Sequence, residues 1–235
     1  MNKILTFFTV LILLIACSSN EDRMTLTGNV KGLKKGTLLL QKIEDSVLVS
    51  IDSVLVNGSS LFSFKETILE PEIYYLNLRL DNGILKDDRI SFFAEANPIN
   101  ISTTLTNFAI DAKVTGSNNQ EKYKTYKKII DRYSNRNLEL IEQIFEAKKK
   151  GNDSLVIKLN NNQNSILAKK YLATISFALS NKDFEISPYL MVSYVNDTRL
   201  VYLDSVYNNL TPKIKDSKYG KDLESLIGSI KKLEN

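Results

Sequence analysis

Between Met24 and Thr115 apolar and polar side chains alternate with a period of two, and turn residues interrupt the alternation about every ten positions. In Leu61-Phe62-Ser63-Phe64 the two Phe share a side. In Ile73–Leu80 the residues Tyr74, Leu76, Leu78 and Leu80 lie opposite Asn77 and Arg79. Such alternation is that of half-buried strands. It predicts eight of them: Met24–Val30, Thr37–Ile43, Val47–Val56, Leu61–Lys65, Ile73–Leu80, Arg89–Ala94, Ile99–Leu105 and Ala109–Val114. Breaks fall at Gly32, Gly36, Pro71, Pro98 and Gly116. Asn57-Gly58 and Asn82-Gly83 read as hairpin turns, because Asn and Gly take positive φ at low cost. Short strands with regular turns predict an antiparallel β-sandwich over 24–116.

At Ser117 the period lengthens to about three and a half. Ser117 with Gln120 fits a capping box, and Tyr123, Tyr126, Ile130, Tyr133, Leu140, Ile144 and Phe145 then form one apolar stripe as far as Lys150. Gly151-Asn152 ends this helix. A second, Asp153 to Asn181, carries Leu155, Leu159, Ile166, Leu172, Ile175 and Leu179. At 1.5 Å per residue each is roughly 40 to 50 Å long, and the two should pair as an antiparallel hairpin. Shorter helices follow: Ser187-Pro188 and Thr211-Pro212 look like cap-then-proline starts, and Asp197–Asn209 and Tyr219–Leu233 have apolar spacings of three and four. The predicted class is α+β, with an all-helical region over 117–235 that begins with a long helical hairpin.

The chain opens differently. Lys3 precedes an apolar run from Ile4 to Ile15, and small residues follow at Ala16, Cys17, Ser18 and Ser19. This is the pattern of a secretory signal peptide over 1–16, too short to span a bilayer comfortably. Leu14-Ile15-Ala16-Cys17 resembles the lipobox of bacterial lipoproteins, which implies cleavage between Ala16 and Cys17 and lipidation of Cys17. Two or more acyl chains hold a protein stably on a membrane. Residues 17–23 then form an acylated tether, and at about 3.5 Å per residue its Ser18–Arg23 part reaches roughly 20 Å. Ser18 resembles the sorting position of lipoproteins sent to the outer membrane. Glu21-Asp22 resembles an acidic surface-export cluster, and its plainer reading is a solvated tether. The expected place is the cell envelope, on the periplasmic face of the outer membrane or exposed at the surface.

Composition narrows the chemistry. The 235 residues are 43% hydrophobic and 25% charged, as in an ordinary globular protein. The formal charge of +4 becomes +3 once Lys3 leaves with the signal, and the excess of bases lies in the second half. Histidine is absent, which excludes Ser-His-Asp triads, Cys-His dyads and His-ligated metals. The single cysteine is the one expected to carry lipid, so a disulfide, a Cys-x-x-Cys pair and a thiol nucleophile are excluded too. Carboxylate chemistry, a lysine or serine nucleophile and an oxygen-ligand calcium site are left.

Several segments together resemble a known family: Leu26-Thr27-Gly28-Asn29-Val30, Ile51-Asp52-Ser53-Val54 before Asn57-Gly58, Phe62-Ser63-Phe64, Glu70-Pro71-Glu72-Ile73-Tyr74-Tyr75-Leu76 and Val114-Thr115-Gly116-Ser117. They look like domain of unknown function 4369, a β-sandwich near the N-terminus of many envelope lipoproteins. Ser187-Pro188-Tyr189-Leu190 and Lys215-Asp216-Ser217-Lys218-Tyr219-Gly220 look like the helical segment that follows it. In fuller members a thioredoxin-like domain with a Cys-x-x-Cys comes next. Its residues are missing here, so that redox activity is not carried over. No residue matches a catalytic motif of the family.

Other candidates have plain readings beside functional ones. Lys148-Lys149-Lys150 suits anionic headgroups, and also suits a helix C-terminus. Asp87-Asp88 and Glu70-x-Glu72 resemble paired carboxylates, yet charged residues are ordinary at strand ends. Tyr74-Tyr75, Tyr189, Tyr194 and Tyr202 suit a sugar- or peptide-binding face, with core packing the simpler account. Asp45-Ser46-Val47, Asp52-Ser53-Val54, Asp153-Ser154-Leu155 and Asp204-Ser205-Val206 resemble bacterial O-glycosylation triplets, Asp153-Ser154 being the best placed. The expectation is a membrane-anchored envelope lipoprotein that is not an enzyme. It has no catalytic residue, cofactor or metal, no nucleic-acid partner, and a possible protein partner in the envelope. Two alternatives stand beside it: an accessory to a thioredoxin-like thiol–disulfide oxidoreductase acting in trans, and a surface glycan-binding lipoprotein.

Overall fold

The computed structural model describes residues 22–233. The predicted signal and the Cys17 anchor lie outside the described residues. Eight strands come first: β1 (Arg23–Lys31), β2 (Lys35–Glu44), β3 (Val47–Asn57), β4 (Leu61–Thr67), β5 (Glu72–Leu80), β6 (Ile90–Ala94), β7 (Pro98–Thr104) and β8 (Lys113–Thr115). The helices follow: α1 (Asn118–Lys149), α2 (Asp153–Ser180), α3 (Ile186–Tyr194), α4 (Leu200–Asn209), α5 (Pro212–Asp216) and α6 (Lys218–Leu233). The α+β class and the helical hairpin are therefore as the sequence predicts. Among the described residues no helix is long and apolar enough to cross a membrane.

Two four-stranded sheets, ordered β4-β1-β7-β8 and β3-β2-β5-β6, face each other across one core. The alternation in the sequence is what fills it. Met24, Leu26 and Val30 of β1, Leu38 and Leu40 of β2, and Leu76 and Leu78 of β5 point inward and are fully buried. Every strand pairing is antiparallel except β1 with β7, which is parallel. Parallel neighbours need a long crossover, and the chain between Lys31 and Pro98 supplies one.

Three turns refine the sequence reading. Asn82-Gly83 does close a tight turn: Gly83 N–H donates to the Leu80 carbonyl at 2.9 Å and Leu80 N–H to the Ile84 carbonyl at 2.8 Å. Asn57-Gly58 does not close a hairpin, because β3 and β4 lie in different sheets. It carries the chain across the sandwich, with Gly58 N–H donating to the Lys34 carbonyl. The hairpin that the sequence hid is Asp45-Ser46, between β2 and β3, where both residues have positive φ (47° and 68°). A two-residue turn with both φ positive matches strand twist, and neither residue is the glycine that usually marks it.

The last strand is shorter than its apolar pattern suggests, because the preceding residues form a plug. Phe108 is fully buried under the sandwich, its carbonyl held by the Thr103 hydroxyl at 2.6 Å. At Gly116 the chain turns into the helices with φ +100°, where an added Cβ would stand 2.0 Å from the Pro98 carbonyl oxygen. Only glycine fits there.

Ser117 caps α1 by accepting from Gln120 N–H at 3.0 Å, as half of a capping box requires. Gln120 does not return the bond. Its side-chain oxygen instead accepts Phe93 N–H from the edge of β6 at 3.0 Å. Tyr126, Ile130, Leu140 and Ile144 are buried on the predicted stripe, while Phe145 is 58% exposed beneath the Lys149 ammonium. In α2 the seam runs through Leu159, Thr174, Ile175 and Ala178, and Leu155 and Leu172 are exposed. At the far end of the hairpin only a small core of Leu140, Ile144, Ala147 and Leu159 joins the two helices. There each helix has a single neighbour, so residues flanking the seam stay in solvent. Ser187 lies inside α3 and donates its hydroxyl to the Ala178 carbonyl, so the N-cap position falls to Glu185.

Candidate functional site

The sandwich and the helices share a third core, made by Ile73 and Phe93 from the sheet and Tyr126, Ile130, Ile186, Leu190 and Tyr219 from three helices. Phe93 is at its centre. The rings of Tyr123, Tyr189 and Tyr219 meet it edge-on at centroid distances of 6.1, 5.2 and 6.5 Å, the geometry aromatic pairs favour. Most of the tyrosines that suggested a binding face belong here. Tyr189 and Tyr194 are half-buried, and Tyr194 shares a hydrogen bond with Tyr123, whereas Tyr74 is buried in the core between the sheets. Tyr75 packs beneath the Arg89 guanidinium and Tyr202 beside that of Arg199.

Hydrogen bonds close the junction, and their acceptors were not evident as site residues in the sequence. Glu95, buried just after β6, accepts from Asn118 N–H at 2.9 Å and from Asn119 N–H at 2.7 Å. A carboxylate there satisfies unpaired first-turn donors of α1 and meets its positive dipole end. The Asn119 side-chain amide donates to both Glu95 and Glu185 at 2.8 Å, and its oxygen accepts Ile186 N–H at 2.8 Å. One asparagine thus ties β6, α1 and α3 together. A Glu directly after Phe92-Phe93-Ala94 was the available signal, since a carboxylate ending a buried strand needs donors nearby.

Glu70 and Glu72 reach a cleft, and the candidates Asp45, Ser46 and Tyr74 line it with them. The Glu70 carboxylate accepts Lys218 N–H at the start of α6 at 2.6 Å. Glu72 lies between Lys42 (3.7 Å) and Lys218 (3.5 Å), and Lys42 also pairs with Glu44 at 2.9 Å. The hydrogen bond to Glu44 is the main reason the Lys42 pKa is raised. Burial, helped by the Glu72 charge, pushes the Tyr74 hydroxyl up to about 12.

These groups line a cleft of about 750 Å³ between the β2–β3 turn, the β4–β5 loop and the start of α6. It continues at Ile43, Lys218 and Asp222 into a second lobe of about 490 Å³ bordered by Tyr75, Tyr189, Ser193 and Tyr219. Both volumes fall within the range of small-ligand sites. The first lobe opens beside Asp22, the first described residue: Ile68 N–H donates to the Asp22 carbonyl at 2.7 Å, and the neighbouring Leu69, 87% exposed, forms part of the rim. The groups on offer are the Glu44 and Glu72 carboxylates paired with lysines, the carboxylates of Glu70, Asp45 and Asp222, tyrosine hydroxyls and ammonium groups. They are equipped for hydrogen-bonded recognition of a polar ligand.

The other candidates are dispersed. Asp88 accepts Ala109 N–H at 3.0 Å and pairs with Lys86 at 3.4 Å. Although burial works against it, these two contacts hold its carboxyl below the usual range. Asp87 is exposed beside it. Lys148, Lys149 and Lys150 are exposed at the end of α1. Asp45-Ser46 forms the hairpin turn, Asp52-Ser53 lies within β3, Asp204 pairs with Lys231, and Asp153-Ser154 sits exposed on the first turn of α2. Among the described residues no three carboxylate, Cys or His side chains are placed to hold a metal ion.

Residues 24–123 match the family model described as Domain of unknown function (DUF4369). The match spans the sandwich and the opening turns of α1. Its inclusion of Ser117, Asn119 and Gln120 fits the bonds those residues make to β6 and to their own helix. Comparison with curated proteins finds none that matches the chain.

Proposed function

We propose that the protein is a membrane-anchored lipoprotein of the cell envelope, held at the outer membrane through acylated Cys17 and acting as a non-enzymatic interaction module. The observation that carries this reading is the position of the cleft beside Asp22. Its mouth adjoins Asp22, the residue to which a tether from Cys17 would lead. A tether of roughly 20 Å keeps that mouth close to the bilayer, where envelope partners and membrane-borne molecules are concentrated. The lipobox-like Leu14–Cys17 segment supports the anchor, and the absence of histidine together with lysine-paired cleft carboxylates supports binding over turnover.

The test has two arms. Cells that express the protein are fed a labelled fatty acid and fractionated. Label and membrane association are expected in the natural chain and lost in Cys17→Ser. The purified protein is also incubated with cell-wall fragments, glycans and disulfide substrates, and no turnover is expected. Unlabelled, soluble wild-type protein would remove the anchor from this account, and catalytic turnover would remove the rest.

A further inference from the structure

β3 is an edge strand of its sheet, bonded to β2 on one side. The other edges are managed. β6 gives Phe93 N–H to Gln120, β8 has three residues, and β4 carries an exposed lysine, Lys65. β3 has eleven residues, with Leu55 74% and Val47 62% exposed. A long apolar edge is a template for another strand.

The sequence of this edge is close to a palindrome. About the point between Ile51 and Asp52, Ser50 mirrors Ser53, Val49 mirrors Val54, Leu48 mirrors Leu55 and Val47 mirrors Val56. A two-fold contact sets one surface against itself, so a palindromic strand aligned antiparallel with its copy places each residue opposite its like. Mates across a ladder must also share a face of the sheet. In a regular strand, positions an odd number apart point to opposite faces. Here a bulge corrects the phase. Pairing with β2 steps from Leu40–Asp52 to Gln41–Ser50, which leaves Ile51 as the extra residue. Ser53 therefore pairs with Leu39 and Ser50 with Gln41; Val54 pairs with Leu38 and Val49 with Lys42; Leu55 pairs with Thr37 and Leu48 with Ile43. In each case the two partners on β2 lie an even number of positions apart, so the mirrored residues of β3 share a face.

We propose that β3 pairs antiparallel with β3 of a second copy of this chain about the Ile51–Asp52 point, which joins two four-stranded sheets into one of eight strands. Asp52 restrains this pairing. Its carboxylate holds Ser53 N–H at 2.7 Å, and two copies of it lie on either side of the two-fold axis. The inference rests on β3 alone and does not depend on the anchor.

The test uses the full chain purified in detergent. With Ser50→Cys and Ser53→Cys combined, each cysteine faces its mate in the other copy. Within one chain the two are about 10 Å apart along the strand, beyond the roughly 7 Å that a disulfide allows between Cα atoms. Mild oxidation is expected to yield a covalent dimer from the double variant and from neither single variant, which also controls for Cys17. In sedimentation of the unmodified protein, Leu55→Arg is expected to weaken association at least tenfold and Asp52→Asn to strengthen it. A protein that stays monomeric throughout, single variants that crosslink as well as the double, or a dimer indifferent to Leu55→Arg would overturn the proposal.

Discussion

The Tyr219 hydroxyl accepts the backbone N–H of Ile73 at 2.9 Å, across 146 positions of sequence. At Ile73 strand β5 has run past the last residue that β2 pairs with it, so this amide has no strand partner on that side. A side chain from the last helix takes over where the ladder stops. Tyr219→Phe keeps the ring against Phe93 and removes the acceptor, leaving a buried donor unsatisfied. The expected cost is about 1–3 kcal/mol, measured by urea denaturation, with faster exchange of the Ile73 amide.

Glu95 is the corresponding tie at the other side of the junction. Replacing it by Ala strips the first turn of α1 of its acceptor and leaves the Asn119 amide only Glu185. A loss of about 3 kcal/mol or more is expected, with the amides of Asn118 and Asn119 losing protection before the rest of α1. Glu95→Gln should lie between the two, because one oxygen still accepts.

Phe93 and Phe145 show how little residue type says about weight. Phe93→Ala opens a cavity in the shared core and should cost about 3–5 kcal/mol. Phe145→Ala, on the exposed face of α1, should change stability by less than about 0.5 kcal/mol. Paired melting curves of the two variants check both values.

High pH should separate the sandwich from the helices. Burial pushes Tyr74 and Tyr126 up to about 12, and burial raises Tyr123, Tyr189 and Tyr219 further. Each stays protonated in the folded state at a pH where the unfolded chain has already lost the proton. The stabilisation is therefore complete below pH ~10, the unfolded value, and lost as pH rises through the folded values. Each such tyrosine removes about 1.4 kcal/mol per pH unit in that window. Unfolding followed by tyrosinate absorbance should be steep and cooperative there. A gradual, non-cooperative rise would mean that these hydroxyls are open to solvent.

Much of the sandwich was legible because local pattern decides it. Phe62 and Phe64 alternate with polar neighbours and are buried, and Asn82-Gly83 turns where Asn-Gly should. Asn57-Gly58 misled because a turn signal does not say which sheet receives the next strand. That is settled by the pairing of β4 with β1. Asp45-Ser46 was hidden because its positive φ values are imposed by the β2–β3 ladder and not by glycine. Glu70 and Glu72 could be named as candidates, but their roles depend on Lys218, far away in sequence. Asn119 and Glu185 gave no motif, and Glu95 only the hint of a carboxylate ending a buried strand. Their significance lies in being brought together by three separate elements, which is tertiary information.

The central proposal, that the cleft beside Asp22 is where this protein meets a partner, is tested most directly by photo-crosslinking in cells. A photoreactive residue replaces Leu69 on the cleft rim of the full chain expressed in its own cells. A control replaces Ile110, 84% exposed in the loop before β8 and outside the cleft. One abundant adduct from position 69 and none from position 110 is the predicted result. The same adducts from both positions, or none above background from either, would contradict it.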